Sequence, residues 1–136
     1  MSFDKLERKI GLTLATRNLL TEAFTHGSVR GKTQSKDSET YRRLEFLGDA
    51  VLRLAVSESI FRDSDGNVER LHETREKLVS NHSLAGAAKD LGLSNYLRGS
   101  GSGNVINSRL VLAQLYESLT GAIFVDRGYE TASKFV

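Results

Sequence analysis

The sequence predicts an all-α fold, a helical bundle with two buried helices at its centre, and three observations support this. It contains no proline, and helix-favouring Leu, Ala, Glu, Lys and Arg dominate long stretches. No segment alternates apolar and polar residues as a half-buried strand would. Two long stretches, residues 41–62 and 108–126, are instead apolar around most of a helical circumference, which is typical of central helices.

Length and composition fit one domain over residues 1–136. The absence of Cys excludes disulfides, thiolate metal sites and a cysteine nucleophile. No apolar run reaches the ~18 residues of a membrane span, and the N-terminus has no targeting pattern. We therefore expect a cytoplasmic protein with no membrane partner. The net charge of +2 permits a nucleic-acid partner without requiring one.

The first predicted elements are two short helices and a loop. Apolar residues at spacings of three and four predict a helix over residues 3–10, and Gly11 suits its C-terminal end. A second short helix is predicted over residues 18–24. Residues 27–40 are rich in Gly, Ser, Thr and Lys, and this composition predicts a loop.

The first long apolar helix, over residues 41–62, would be ~33 Å long at ~1.5 Å per residue. Residues 63–67 read as the turn that ends it. A charged helix is predicted over residues 68–80. Its inward contacts are expected to be Leu71, Leu78 and Val79.

The second half of the chain contains three further predicted helices. Asn81 is the predicted N-cap of a helix over residues 82–91, and Gly92 is its predicted C-cap. A Gly/Ser loop over residues 99–103 precedes the second apolar helix, over residues 108–126. A final short helix follows the break at Gly128.

Each central helix carries polar side chains that a buried helix should not carry without partners. Glu45 and Asp49 are four residues apart and share one helical face, and Gln114 and Glu117 are three apart on another. If the two helices pack together, three carboxylates and an amide oxygen converge. Such hard oxygen ligands suit Mg²⁺ or Mn²⁺.

The same carboxylates also permit an ordinary interpretation. Glu45 would pair with Arg42 or Arg43, Asp49 would pair with Arg53, and Glu117 would point to solvent. The helical spacing alone does not decide between a metal site and these surface ion pairs.

Four segments of the chain match signature strings of a known family, in the same order. Residues 43–52, RLEFLGDAVL, closely resemble the signature helix of the ribonuclease III family. Residues 117–126, ESLTGAIFVD, are similar to its Glu-Ala-Leu-Ile-Gly-Ala-Ile-Tyr-Leu-Asp segment. Residues 23–28, AFTHGS, and residues 75–85, REKLVSNHSLA, resemble two further segments. The resemblance implies the fold of that family's endonuclease domain, which cuts double-stranded RNA with divalent metal ions.

The resemblance also implies roles for individual residues. The family's metal-binding carboxylates match Glu45, Asp49 and Glu117, which are the expected catalytic residues. Phe46 matches the aromatic residue that packs into the partner subunit in family dimers. The implied activity is cleavage of double-stranded RNA in RNA processing by a homodimer, with Mg²⁺ or Mn²⁺ as cofactor. The implied products carry a 5′-phosphate and a 3′-hydroxyl.

At other acidic positions of the family the chain differs. Gln114 replaces an aspartate and can offer a cation only a neutral oxygen. Arg42 replaces a glutamate and would either repel metal or contact an RNA phosphate. A further acidic position falls near Val68, with Glu69 adjacent.

These differences leave two functions open. The first is the metal-dependent endonuclease. The alternative is a catalytically impaired relative that binds RNA or associates with the ribosome. We expect no double-stranded-RNA-binding domain in the chain, as in the single-domain mini-ribonuclease III branch.

Overall fold

The structure, a computed structural model, describes residues 2–26, 41–98 and 108–136 and confirms the all-α class. Its elements are the helices α1 Asp4–Ile10, α2 Arg17–Ala23, α3 Tyr41–Asp63, α4 Val68–Leu78 and α5 Asn81–Leu91, the 3₁₀ turn Leu93–Tyr96, and the helices α6 Arg109–Arg127 and α7 Tyr129–Phe135. Within these ranges the only strand-like pairing is an isolated bridge between Thr25 and Arg98. The predicted loops over residues 27–40 and 99–103 lie outside the described residues.

The innermost element is α6. Every residue from 111 to 123 is buried except Gln114. Its most extensive contact is with α3, while α5, α7 and α2 cover its other sides. The central position predicted for the two long helices is confirmed.

The α3 helix is buried on one face only, which differs from the all-round burial that its composition suggests. Phe46 is 83% exposed, Phe61 73% and Leu54 55%. Apolar composition indicates that a position can be buried, whereas burial itself requires a neighbouring element that covers it. In the described part of the chain, no element covers this face of α3.

The two central helices touch backbone to backbone at a pair of glycines. A Cβ atom added at Gly48 would lie 1.7 Å from the carbonyl oxygen of Glu117. One added at Gly121 would lie 2.2 Å from the carbonyl oxygen of Leu44. Both distances are far below van der Waals contact, so only glycine fits at either position. The glycine pair therefore fixes where α3 and α6 cross.

The N-terminal helices are attached to this centre by aromatic packing and one buried hydrogen bond. The ring centroids of Phe3, Phe24 and Tyr96 lie 5.7 to 5.9 Å apart. The Ser118 hydroxyl donates to the carbonyl oxygen of Ala23 at 2.7 Å. These contacts hold the C-terminal end of α2 against the middle of α6.

The segment that leads into α2 is held by the C-terminal end of α6. The backbone N–H groups of Ala15 and Thr16 each donate to the carboxylate of Asp126 at 2.9 Å. Burial opposes ionisation of this carboxyl, but these hydrogen bonds prevail and hold the pKa of Asp126 below its usual value. The guanidinium of Arg127 also donates to the carbonyl oxygen of Thr13.

The helix ends follow the predicted bounds to within two residues, with one different cap. Ser80, and not Asn81, is the N-cap of α5, because its extended backbone lets its hydroxyl accept from the N–H of Ser83. Gly11 and Gly92 end α1 and α5 with φ of +74° and +66°, as predicted.

The inward contacts predicted for α4 are only partly correct. Val79, just after the helix, is buried, and Leu71 is half-buried. Leu78 is 47% exposed. It precedes the buried Val79 by one residue, which turns it about 100° around a helix and away from the core. Among the described residues, no helix is both long and apolar enough to cross a membrane.

Candidate active site

The crossing of α3 and α6 brings the predicted site residues together. Gly48, which touches the backbone of Glu117, lies between Glu45 and Asp49 in the sequence. Because side chains three and four residues apart share a helical face, Glu45 and Asp49 lie on either side of the contact. Gln114 is one helical turn before Glu117 on α6.

Glu117 has the most strongly perturbed carboxyl of this group. It is 9% exposed. Burial, a hydrogen bond with Asp49 and the negative charges of Asp49 and Glu45 raise its pKa to about 8, although the nearby charge of Arg53 opposes the shift. The interpretation in which Glu117 points to solvent is therefore wrong.

Asp49 has a cationic partner on its own helix. The Arg53 Nε donates to Asp49 Oδ1 at 3.3 Å, and the Arg53 Nη1 donates to Glu76 Oε1 of α4 at 3.2 Å. The Asp49–Arg53 pair of the ordinary interpretation is present. Its side chains are 44% and 42% exposed, so solvent screens the attraction between them.

Glu45 is balanced between neighbours of opposite sign. Burial raises its pKa, the charge of Arg42 and a hydrogen bond from Gln114 lower it, and the charge of Asp49 raises it, with a net upward shift. The predicted pairing of Glu45 with Arg42 is thus partly correct, because the charge of Arg42 acts on Glu45 and lowers its pKa.

Tyr41 is a residue that the sequence analysis did not assign to the site. Its hydroxyl donates to Gln114 Oε1 at 3.0 Å. Burial and the charge of Glu45 raise the pKa of this phenol, while the charge of Arg42 lowers it. Tyr41 lies four residues before Glu45, and this spacing is a signal that could have placed it on the same face.

Of the other predicted positions, Arg42 and Phe46 are close to Glu45 in the sequence, whereas Val68 lines a pocket with Ile60 and Phe61 near the other end of α3. Arg42 is exposed in the first turn of α3, and Phe46 is exposed one residue after Glu45. Val68 and Glu69 are both exposed at the start of α4.

The donor chemistry of the cluster fits a divalent cation, although the side chains are not gathered around one. No three His, Cys, Asp or Glu side chains of the described ranges are close enough to hold a metal ion, and Asp49 is paired with Arg53. Burial and the charges of Asp49 and Glu45 nevertheless raise the pKa of Glu117, and a bound cation would relieve this repulsion. Three hard oxygen donors with unbalanced charge suit Mg²⁺ or Mn²⁺ once Asp49 releases Arg53.

Comparison with known proteins gives one consistent family. Residues 16–136 match the family described as Ribonuclease-III-like. Proteins named Ribonuclease 3 from Chlorobium chlorochromatii and Leptospira interrogans are 40% and 38% identical over 96% and 99% of this chain. These matches cover 55% and 56% of the two relatives, so the chain spans about half the length of the curated relatives it matches.

Solved structures give the same result. The nuclease domain of Ribonuclease III from Campylobacter jejuni, which is described as flexible in a region involved in dimer formation, has a TM-score of 0.89 and 31% identity. That match covers 98% of this chain and 92% of the Campylobacter chain. Dicer from Pichia stipitis has a TM-score of 0.66 at 22% identity over 90% of this chain and 55% of its own, a likeness in fold alone.

Proposed function

The chain belongs to the ribonuclease-III-like family, and on that premise we propose that it is a metal-dependent endonuclease that cleaves double-stranded RNA as a homodimer. The observation that carries the proposal is the placement of Glu45, Asp49 and Glu117 beside the glycine contact between α3 and α6, where the charges of both other carboxylates act on Glu117. The named relatives are ribonucleases, and the chain retains carboxylates at the three positions that the resemblance makes catalytic.

In this proposal Glu45, Asp49 and Glu117 hold one Mg²⁺ or Mn²⁺. A cation bound there supplies positive charge to the scissile phosphate and lowers the pKa of the attacking water. The chain contributes the rigid placement of its ligands, because the backbone contact of α3 with α6 leaves their relative position little freedom. Glu117 gives up its proton on binding, so metal binding releases protons near neutral pH.

The RNA partner is proposed on the chemistry of A-form duplexes. Side chains cannot read bases in the deep major groove of RNA, so recognition relies on shape, phosphates and 2′-hydroxyls. Arg42 lies exposed beside Glu45, where its guanidinium can contact a phosphate next to the site of cleavage.

The homodimer is proposed from the uncovered face of α3. Phe46, Leu54 and Phe61 are large apolar residues exposed at spacings of eight and seven, which places them on one side of the helix. A second copy of the chain related by two-fold symmetry would cover this face, as in most small symmetric oligomers. Phe46 is the residue that the resemblance assigns to the dimer contact.

A second candidate function is favoured by the neighbours of Glu45. Arg42 places a positive charge where the resemblance expects a negative one, and the oxygen of Gln114 already accepts a hydrogen bond from Tyr41. Both features lower the affinity for a cation. A relative that binds RNA without cutting it, alone or on the ribosome, is the alternative.

Cleavage of a duplex RNA in Mg²⁺ and in Mn²⁺ tests the proposal. The parent chain should cut, and Glu117→Gln should abolish cleavage and Mn²⁺ binding together. Gln114→Asp and Arg42→Glu should each strengthen Mn²⁺ binding, because each makes the site more negative. Glu130→Gln, which removes an exposed carboxylate of α7, is the matched control and should cut like the parent.

Two outcomes would count against the proposed endonuclease activity. Cleavage by Glu117→Gln at the parent rate would show that the carboxylates of α3 and α6 do not form the active site. If the double variant with Gln114→Asp and Arg42→Glu binds Mn²⁺ but does not cut, the RNA-binding alternative is favoured.

A further inference from the structure

A cavity lies where the C-terminal half of α3 meets α5, α6 and α7. Its volume is about 450 Å³, which is within the range of small-molecule sites, roughly 300–1,000 Å³. At ~30 Å³ for each water molecule, the space equals that of about fifteen waters. The four polar residues of the candidate active site, Glu45, Asp49, Gln114 and Glu117, do not line it, so the cavity is a separate feature of the molecule.

The walls of the cavity are aliphatic or hydroxylic. Leu52 and Val56 of α3 and Leu84 of α5 supply apolar surface, while Ser59 and Ser133 add hydroxyl groups. None of the described residues that line it has a charged side chain. A charged ligand would therefore lose its hydration without gaining a side-chain counter-charge. The lining suits an uncharged ligand with an apolar body.

Tyr116 is the most deeply buried polar side chain in these walls. It is 7% exposed, and its ring stacks on Phe135 with centroids 5.2 Å apart, which fixes the position of the ring. Within the described ranges its hydroxyl has no hydrogen-bond partner. The only fully enclosed side-chain atom of those ranges that lacks one is Arg75 Nε, so the Tyr116 hydroxyl is not sealed in the core and reaches the cavity that the residue lines.

This phenol can serve as a hydrogen-bond donor to a bound molecule. Burial raises the pKa of Tyr116, so the hydroxyl keeps its proton at neutral pH. A tyrosine hydroxyl that is largely buried usually has a partner, because an unsatisfied donor lowers stability. Water can satisfy the donor, whereas a ligand oxygen satisfies it and also places an apolar body against the aliphatic walls.

We propose that this cavity binds a small uncharged organic molecule, one with an apolar body and a carbonyl oxygen that accepts a hydrogen bond from the Tyr116 hydroxyl. The site is formed by the packed helices of one chain. It depends neither on a metal ion nor on RNA, and it adds a ligand site to the proposed endonuclease.

Two fluorinated probes that differ in the acceptor alone test the proposal. 4-Fluoroacetophenone carries a carbonyl group where 1-ethyl-4-fluorobenzene carries a methylene group. In a titration followed by fluorine NMR, the ketone should bind the parent saturably with a Kd in about the millimolar range, as expected for a ligand of about ten non-hydrogen atoms.

The Tyr116 hydroxyl should account for the preference for the ketone. Tyr116→Phe keeps the ring and its stacking on Phe135 but removes the donor, so the affinity ratio of the ketone to the ethyl compound should fall about tenfold. Tyr96→Phe is the matched control, because it removes a hydroxyl from the separate aromatic cluster with Phe3 and Phe24. It should keep the parent ratio.

Methyl spectra of the parent locate the bound ketone. The methyl signals of Leu52, Val56 and Leu84, which line the cavity, should shift as the ketone is added. Those of Leu6 and Leu20, which are fully buried elsewhere in the core, should not.

Three results would overturn the proposal. An equal affinity ratio in the parent and Tyr116→Phe would show that the hydroxyl meets water only. Absence of saturable ketone binding up to about 10 mM would show that the cavity takes no such ligand, and shifts spread evenly over the core methyl groups would show non-specific binding. Cleavage and Mn²⁺ binding are measured separately, so failure here leaves the proposed function standing.

Discussion

Glu117 connects the geometry of the helix crossing with the chemistry of the site. Its carboxyl lies in a largely buried position beside two other carboxylates, and a pKa of about 8 keeps it protonated near neutral pH in the metal-free chain. A divalent cation that replaces this proton would let all three groups ionise. The affinity for metal should therefore rise with pH through this range.

The same residue should make the metal-free chain less stable as the pH rises. The carboxyl of Glu117 has a pKa of about 8 in the folded chain, against an ordinary value of 4.5 for an exposed glutamate. Between these values the folded state binds a proton that the unfolded state has released, so the free energy of unfolding falls as the pH increases through that window. Thermal unfolding in EDTA should show a smaller decline for Glu117→Gln than for the parent.

The exposed Glu130→Gln is the control for that experiment, because its side chain is 89% exposed and it should follow the parent. Parallel pH profiles for the parent and Glu117→Gln would contradict the buried, raised-pKa state of Glu117.

Arg53 competes with metal for Asp49. Arg53→Met removes the guanidinium that donates to Asp49 and keeps much of the aliphatic side chain, so Mn²⁺ binding should become tighter. Because the ion pair is exposed, the gain should be about fivefold at most. Arg62→Met removes an equivalent pair with Glu58 on the same helix, four residues apart at 3.0 Å, and should leave Mn²⁺ affinity unchanged. Equal effects of the two substitutions would mean that only net charge matters.

At the scale of helices, the glycine contact determines whether a site can exist. A larger residue at Gly48 or Gly121 would push α3 away from α6. The carboxylates would then separate by the same displacement, and ligands held on two elements would lose their common centre. The close packing of α3 against α6 is therefore also a requirement of the proposed metal site.

Alanine substitutions should show this directly. Gly48→Ala should lower the free energy of unfolding by about 3 kcal/mol or more, because its Cβ overlaps the backbone of Glu117. Gly86→Ala, inside α5 with nothing within 4 Å of the added Cβ, should instead stabilise the chain by about 0.5–1 kcal/mol through helix propensity. Urea denaturation of both variants gives the comparison. Equal changes for the two would mean that α3 and α6 do not touch as described.

Periodicity and capping predicted the helices and their approximate ends because both signals are local in the sequence. The uncovered face of α3 could not be predicted in this way, because burial depends on neighbours that are distant in sequence. The hydrogen bond between Tyr41 and Gln114 joins residues 73 apart, so it follows only from the crossing. The spacing of Glu45, Asp49 and Glu117 placed each side chain on a helical face, whereas the burial and pKa of Glu117 required the glycine contact.

For the whole molecule, the exposed apolar face of α3 predicts self-association. The parent should sediment as a dimer at micromolar concentration, about twice the 15.0 kDa of one chain. Phe46→Ala should weaken the dimer by about 2 kcal/mol and leave the thermal unfolding of the monomer unchanged, because Phe46 is exposed within one chain. Val125→Ala, another exposed apolar position, is the control. A stable monomer of the parent would contradict the prediction.

The small net charge of +2 predicts how the chain as a whole should bind duplex RNA. Binding should be weak, insensitive to sequence and steeply dependent on salt, because phosphate contacts dominate it. Raising the salt from about 50 to 200 mM should lower affinity on the order of tenfold for as few as two phosphate contacts. Filter binding of two unrelated duplexes at both salt concentrations measures this. Nanomolar affinity that does not change with salt would contradict it.

The hydrogen bonds from Ala15 and Thr16 to Asp126 join positions 111 and 110 residues apart, and this separation bears on the order in which the molecule folds. Contacts between such distant positions form late, because a long loop must close first. During synthesis, the segment before α2 therefore remains unanchored until Asp126 has been made and has left the ribosome. The first helices to be made are thus among the last to reach their final positions.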